Sequence, residues 1–99
     1  MTEPAAPPDD LLQRLRRFHS DYFPRHQQRF QDLVTGGQHP KTLFIGCSDS
    51  RVTANDVLGL DPGAVFVHRN IANFVHTSDM NFLAVLEYAL TVLRVQDVI

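Results

Sequence analysis

Residues 42–47 are Thr42-Leu43-Phe44-Ile45-Gly46-Cys47, an unbroken run of mostly apolar and β-forming side chains. A strand that is exposed on one face alternates apolar with polar residues, whereas a strand covered on both faces of a parallel sheet is apolar throughout. The run therefore predicts a buried parallel strand. It also places Cys47 at the carboxyl end of that strand.

A helix and a second strand are predicted directly after this one. Residues 48–51 are polar, as in a loop, and residues 53–58 have the pattern of a short helix. Asp61-Pro62-Gly63 is a turn signal, and residues 64–67 form a second apolar run. The order of strand, helix and strand indicates the α/β class with a parallel sheet.

A long helix is predicted next, because Ser78 with Asp79 can cap a helix that runs to about Arg94. Its apolar positions are so numerous that we expect the helix to be buried on most sides. These positions include Leu83, Leu86, Leu90 and Leu93. Residues 95–99 are a further apolar segment that would begin another strand. We therefore expect a βαβ core that is incomplete at the C-terminus.

A helical arm is predicted before the core. Residues 7–10, two prolines followed by two aspartates, suit a helix start, and Gly36-Gly37 suits a helix stop. Pro24 is expected to interrupt the arm and divide it into two helices. The first helix carries an apolar stripe made of Leu11, Leu15, Phe18 and Tyr22. The predicted organisation is a flexible tail at 1–10, the helical arm at 11–36 and a partial α/β domain at 41–99.

Composition limits the classes of function. The chain has 99 residues, 43% of them hydrophobic and 20% charged, which is typical of one small globular domain. The net charge is −2 and the cations are scattered, so we expect no binding to nucleic acid or to a membrane. Cys47 is the one cysteine, which rules out an internal disulfide and favours a reducing compartment, the cytoplasm.

The segment after the first strand carries the candidate chemistry, because ligands collect at the carboxyl ends of parallel strands. Cys47 offers a soft thiolate, Asp49 a carboxylate, and Arg51 a cation that can hold the carboxylate through paired hydrogen bonds. From these residues alone, a buried cysteine beside a loop salt bridge is an open alternative. A redox thiol is another. A phosphatase-type loop fits poorly, because only three residues separate Cys47 from Arg51.

Two stretches resemble signatures of one enzyme family. Residues 46–52, Gly-Cys-Ser-Asp-Ser-Arg-Val, resemble the first signature of the β-class carbonic anhydrases. Residues 65–73, Val-Phe-Val-His-Arg-Asn-Ile-Ala-Asn, resemble the second, at the right distance downstream. The resemblance covers roughly residues 30–99. The chain is therefore identified as the N-terminal portion of a β-class carbonic anhydrase.

This resemblance implies a zinc lyase that reversibly hydrates carbon dioxide to bicarbonate. Its zinc is held by a cysteine, a histidine and a second cysteine, and Cys47 matches the first cysteine. Asp49 matches an aspartate that either binds zinc or pairs with Arg51. Cys47 and Asp49 are thus the implied metal ligands, and Asp49 and Arg51 the implied catalytic residues. Arg51 would keep Asp49 ionised.

Two of the implied ligands are not in the sequence. The family's histidine and second cysteine come from a His-x-x-Cys motif that would follow Ile99, so we expect the chain to be incomplete. His68 and His76 receive no metal role, and Asn70 and Asn73 are expected to bond loop backbone. The resemblance also implies a homo-oligomer, a dimer or larger, formed through the N-terminal helices. The alternative is an inactive fragment that oligomerises and binds zinc weakly.

Overall fold

The computed structural model of the chain describes residues 8–99. The chain divides into two compact units, one ending at Gly37 and the other formed by Gln38–Ile99. Most of the predicted flexible tail at 1–10 lies outside the described residues. The first described residues, from Pro8, are already helical.

The first unit is helical. It consists of α1 at Pro8–Arg17, a π-helical turn at Phe18–Tyr22, α2 at Phe23–Arg25 and α3 at Gln27–Gly36. The chain breaks its helical course at His26, with φ −115° and ψ 20°, rather than at Pro24. Pro24 lies in the first turn of α2, directly after the π-helical turn, where the Phe23 N–H bonds the Phe18 carbonyl and the helical path continues through the proline.

The predicted apolar stripe of the first helix divides into two parts. The rings of Phe18 and Tyr22 lie against Phe30 on α3, with centroids 5.8 Å and 6.4 Å from that of Phe30, although 39% and 38% of these two residues is exposed. Leu11 and Leu15, by contrast, are 53% and 65% exposed. The aromatic half therefore holds the helices of the unit together, and the leucine half remains accessible in the isolated chain.

The second unit is a three-stranded parallel sheet with helices. Its elements are β1 at Thr42–Cys47, α4 at Ala54–Leu58, β2 at Val65–Asn70, a 3₁₀ turn at Ile71–Asn73, α5 at Met80–Tyr88 with a π-helical extension at Ala89–Leu93, and β3 at Asp97–Val98. The strand order is β2-β1-β3, with β1 in the middle and parallel to both neighbours. The predicted α/β fold with a parallel sheet is confirmed.

β2 is longer than the sequence predicted. The prediction ended the strand at Val67, but pairing continues along β1 until Asn70 lies opposite Cys47. Polar residues at 68–70 gave no sign of this extension, since hydrogen bonds to β1 produce it rather than side-chain pattern. As a result, Arg69 and Asn70 lie at the same sheet edge as Cys47.

One face of α5 covers the sheet. Phe82 is buried, and its ring centroid lies 6.0 Å from that of His68. The ring centroids of Tyr88 and Phe66 are 5.9 Å apart. Leu43 and Ala89 are fully buried. The expectation of burial on most sides is wrong for the isolated chain, because the small sheet covers one side only. The exposed residues of this helix and its extension include Met80, Leu90 and Val92.

The helix cap is provided by Asp79. Its side chain accepts hydrogen bonds from the backbone N–H groups of Asn81 and Phe82, which are free donors at a helix start. Ser78, the other predicted cap residue, donates its backbone N–H to His76 instead. Across the described residues, no helix combines the length and the apolar character needed to cross a membrane.

Candidate active site at the carboxyl end of the first strand

Two loops leave the same edge of the sheet. β1 ends at Cys47 and β2 at Asn70, and these two residues are register partners. The backbone N–H of Ser48 donates to the carbonyl of Asn70 at 2.7 Å, so the loops are joined where they begin. In α/β proteins, ligands bind at the carboxyl ends of the parallel strands. The predicted site residues lie in the first of these loops.

Asp49 and Arg51 form a tight ion pair. The Arg51 guanidinium donates from Nε to Asp49 Oδ1 at 3.0 Å and from Nη2 to Oδ2 at 2.7 Å. The Arg51 backbone N–H also donates to Oδ1, at 2.9 Å. The paired hydrogen bonds expected from the sequence are therefore present. The Arg51 side chain is 86% exposed and that of Asp49 is 30% exposed, so the carboxylate is the more sheltered partner.

The surroundings of Asp49 favour its charged form. The Arg51 side chain, and then the Arg51 backbone N–H, hold the pKa of the Asp49 carboxyl below its ordinary value, and the charge of Arg69 acts in the same direction. In return, the hydrogen bond from Asp49 raises the pKa of the Arg51 guanidinium. Both partners are therefore ionised at neutral pH.

Cys47 is a free, partly buried cysteine. Hydrogen bonds from the backbone N–H of Asp49, and next from that of Ala72, lower the pKa of the thiol, while partial burial opposes them and Asn73 N–H adds to them. Ala72 and Asn73 have φ of 59° and 46°, values that residues other than glycine rarely adopt. This left-handed turn supplies the sulfur with backbone donors and favours the thiolate.

Asn70 closes the loop that contains this turn. Its side-chain Nδ2 donates to the carbonyl of Phe74 at 2.7 Å, and its Oδ1 accepts from the backbone N–H of Phe74 at 2.6 Å. The expected bonding of Asn70 to loop backbone is thus present. Both ends of the short segment 71–73 are thereby fixed beside Cys47.

Arg69 holds the other loop, a role that sequence reasoning missed. Its Nε donates to the carbonyl of Cys47 at 2.9 Å, and its Nη2 donates to the carbonyls of Asp49 and Val52. The available signal was a cationic residue, Arg69, at the end of the second strand, because that end lies next to the polar loop that follows the first strand. It could not be used while β2 was predicted to end at Val67.

The two histidines near the site have other surroundings. His68 is buried against Phe82, and His76 Nδ1 accepts the backbone N–H of Ser78 at 3.0 Å. Among residues 8–99, no three His, Cys, Asp or Glu side chains are grouped as a metal site would require. Cys47 and Asp49 offer a thiolate and a carboxylate, two of the ligand types that zinc accepts, whereas a catalytic zinc ion usually has three protein ligands.

Residues 42–99 match the family model described as carbonic anhydrase. Over 70 residues the chain is 51% identical to a carbonic anhydrase of Emericella nidulans, a match covering 71% of this chain and 31% of that protein. A carbonic anhydrase of Saccharomyces cerevisiae is 50% identical, with the same two shares, 71% and 31%. The chain thus spans about a third of the length of these curated relatives.

The same similarity appears among solved structures. One of two tetrameric β-carbonic anhydrases from Sordaria macrospora superposes with a TM-score of 0.77 at 41% sequence identity. The match covers 91% of this chain and 47% of the Sordaria chain. The two strand-end loops described above lie within the matched length of the family model, residues 42–99.

Proposed function

The chain belongs to the β-carbonic anhydrase family, and on this premise we propose that the protein hydrates carbon dioxide reversibly to bicarbonate with zinc as its cofactor. The observation that carries the proposal is the position of Cys47 beside the Asp49–Arg51 pair at one strand end. Both lie inside the region that matches the family model. A thiolate and a fixed carboxylate at such a place suit a metal centre better than a simple loop salt bridge.

Cys47 would hold zinc, and Asp49 would either bind the zinc as a further ligand or stay paired with Arg51 and leave that position to water. The backbone donors around Cys47 already favour the thiolate, the form that binds a metal. Among residues 8–99, no third His, Cys, Asp or Glu side chain is grouped with these two. When bound, zinc supplies a hydroxide nucleophile at neutral pH by lowering the pKa of water to about 7.

Asp49 and Arg51 would orient the nucleophile. An ionised carboxylate can only accept hydrogen bonds, so Asp49 would accept from the hydroxide O–H and turn the oxygen lone pair towards the carbon of carbon dioxide. Attack by that oxygen would form a new C–O bond while one C=O electron pair moves to oxygen, which would give bicarbonate. In the paired state Arg51 would keep Asp49 charged and oriented through the three hydrogen bonds it donates.

We also propose that the protein is a homo-oligomer that assembles through its N-terminal helices. The Sordaria relatives are described as tetrameric. In the present chain, the accessible leucines of α1, Leu11 and Leu15, offer an apolar face of the kind that interfaces bury. The single cysteine keeps the cytoplasm as the expected compartment.

Zinc content and carbon dioxide hydration of the purified protein test the proposal together. Stoichiometric zinc with hydration well above the uncatalysed rate is the expected result. The competing candidate is a non-enzymatic chain that oligomerises and binds zinc weakly, and it is favoured by the lack of a third grouped ligand among the described residues. Folded protein without zinc and without hydration would establish that candidate and exclude the enzyme.

A further inference from the structure

We propose that Arg69 is a positioning residue for this site, which sets the backbone path of residues 47–52 and thereby the relative placement of Cys47 and Asp49. The inference takes its catalytic meaning from the proposed function, but its structural content can be measured without any activity. Arg69 is not one of the residues that the family resemblance marked as a ligand or a catalytic group. Its role is inferred from its own contacts.

The contacts of Arg69 span the whole loop. Nε reaches the carbonyl of Cys47 at 2.9 Å, where the loop begins. Nη2 reaches the carbonyl of Asp49 at 2.6 Å and also that of Val52, where the loop ends. One side chain therefore holds the beginning, the middle and the end of a six-residue segment through three carbonyl groups.

The base of Arg69 is itself fixed. Arg69 lies in β2 and is the register partner of Gly46, the residue just before Cys47. The backbone of a residue in a strand moves less than that of a residue in a loop. Arg69 therefore fixes the positions of the three carbonyl groups relative to the sheet. Without this link, the loop would be tied to β2 mainly by the Ser48 N–H bond to Asn70.

The two arginines of the site thus bind different parts of Asp49. Arg51 holds the Asp49 carboxylate, whereas Arg69 holds the Asp49 backbone carbonyl. The shape of the guanidinium matters, because its planar fork reaches separate carbonyls with Nε and Nη2. A lysine ammonium, a single point of charge, cannot reproduce that spacing.

The first arm of the test reads the loop by amide hydrogen exchange in the 99-residue chain, comparing the wild type with Arg69→Lys and Arg69→Gln. The informative amides are Arg51 and Val52, which both donate to Asp49. Loss of bonds from a charged donor should accelerate their exchange by about tenfold or more. The amides of Ile45 and Leu83, which bond elsewhere in the second unit, should change less than about twofold.

Arg25→Lys is the matched control, because Arg25 is also exposed and donates to an aspartate, Asp21, but in the first unit. It should leave the amides of Arg51 and Val52 unchanged. Unchanged exchange at those amides in Arg69→Lys would overturn the inference. Equal acceleration at all four amides would overturn it as well, since it would indicate general loosening.

The second arm measures carbon dioxide hydration. If the wild-type protein hydrates carbon dioxide, Arg69→Lys should reduce kcat by about tenfold or more while KM changes less than about twofold, because placement of the reacting groups is lost and not substrate access. An unchanged kcat would contradict a positioning role. If the wild type does not hydrate carbon dioxide, the proposed function fails, and the exchange arm alone decides the role of Arg69.

Discussion

Asp49 accepts three hydrogen bonds from Arg51, two from the guanidinium and one from the backbone N–H. The partners are two residues apart, so the pair forms within one turn of chain and needs no distant element. The carboxylate is consequently charged and fixed before any ligand arrives, which is the state that preorganised catalysis requires.

Replacing the carboxylate should abolish most activity. In Asp49→Asn the amide cannot act as a charged acceptor, so hydration in an active preparation should fall by about a hundredfold or more. Stopped-flow hydration assays measure this. Asp21→Asn is the control, because Asp21 forms a similar exposed ion pair, with Arg25, in the first unit and should leave the rate unchanged. Equal rates for Asp49→Asn and the wild type would remove Asp49 from the mechanism.

The pKa of Asp49 should depend on Arg51. The Arg51 side chain lowers this pKa, so the stabilisation that the pair gives is complete above the ordinary pKa of aspartate and is lost as the pH falls through the lowered value. In Arg51→Lys the guanidinium bonds are gone, and the pKa should return towards the ordinary value. Carbon-13 NMR titration of the Asp49 carboxyl in the wild type and in Arg51→Lys measures this difference in pKa. Identical titrations would show that the pair does not set the charge of Asp49.

The thiol of Cys47 should react as a thiolate at unusually low pH in the metal-free chain. Backbone N–H donors from Asp49 and Ala72 lower its pKa, so the rate of alkylation by iodoacetamide should reach half its maximum at a lower pH than in the same chain unfolded in urea. The unfolded chain is the control for intrinsic reactivity. A midpoint at or above that of the unfolded chain would contradict the donor arrangement.

Asn70 should matter for the site as well as for stability. Asn70→Ala removes two hydrogen bonds with Phe74, which should lower the free energy of unfolding by about 1–3 kcal/mol. It should also slow alkylation of Cys47 at neutral pH, because segment 71–73 loses its closure. Urea unfolding and the alkylation assay report the two effects.

Asn55→Ala is the matched variant for this experiment. Asn55 also donates its side-chain amide to loop carbonyls, those of Leu60 and Asp61. It should cost a similar free energy of unfolding and leave alkylation of Cys47 unchanged. If both variants slowed alkylation equally, the effect would belong to general destabilisation and not to the loop beside the sulfur.

Sequence patterns predicted what is local. The apolar run 42–47 predicted β1, and the position of Cys47 at its end followed directly. The Asp49–Arg51 pair was also foreseeable, since it joins near neighbours. In each case the information lies within a few residues of chain.

What the sequence did not reveal depends on contacts between distant segments. Arg69 meets the loop at 47–52 only because β2 runs past Val67, and that extension depends on pairing with β1. The left-handed turn at Ala72 and Asn73 carries no glycine to announce it. It persists because Asn70 bonds Phe74 across it. Features that depend on contacts between two distant segments leave no recognisable sequence pattern in either segment alone.

The most direct measurement of the central claim is the loss of oxygen-18 from labelled carbon dioxide, followed by mass spectrometry with the wild-type protein and with Cys47→Ala in the presence of zinc. The wild type should catalyse the exchange, and Cys47→Ala should reduce it to the uncatalysed rate, because a proposed zinc ligand is gone. Equal catalysis by both proteins, with both folded, would contradict the claim that Cys47 and the Asp49–Arg51 pair form the active site.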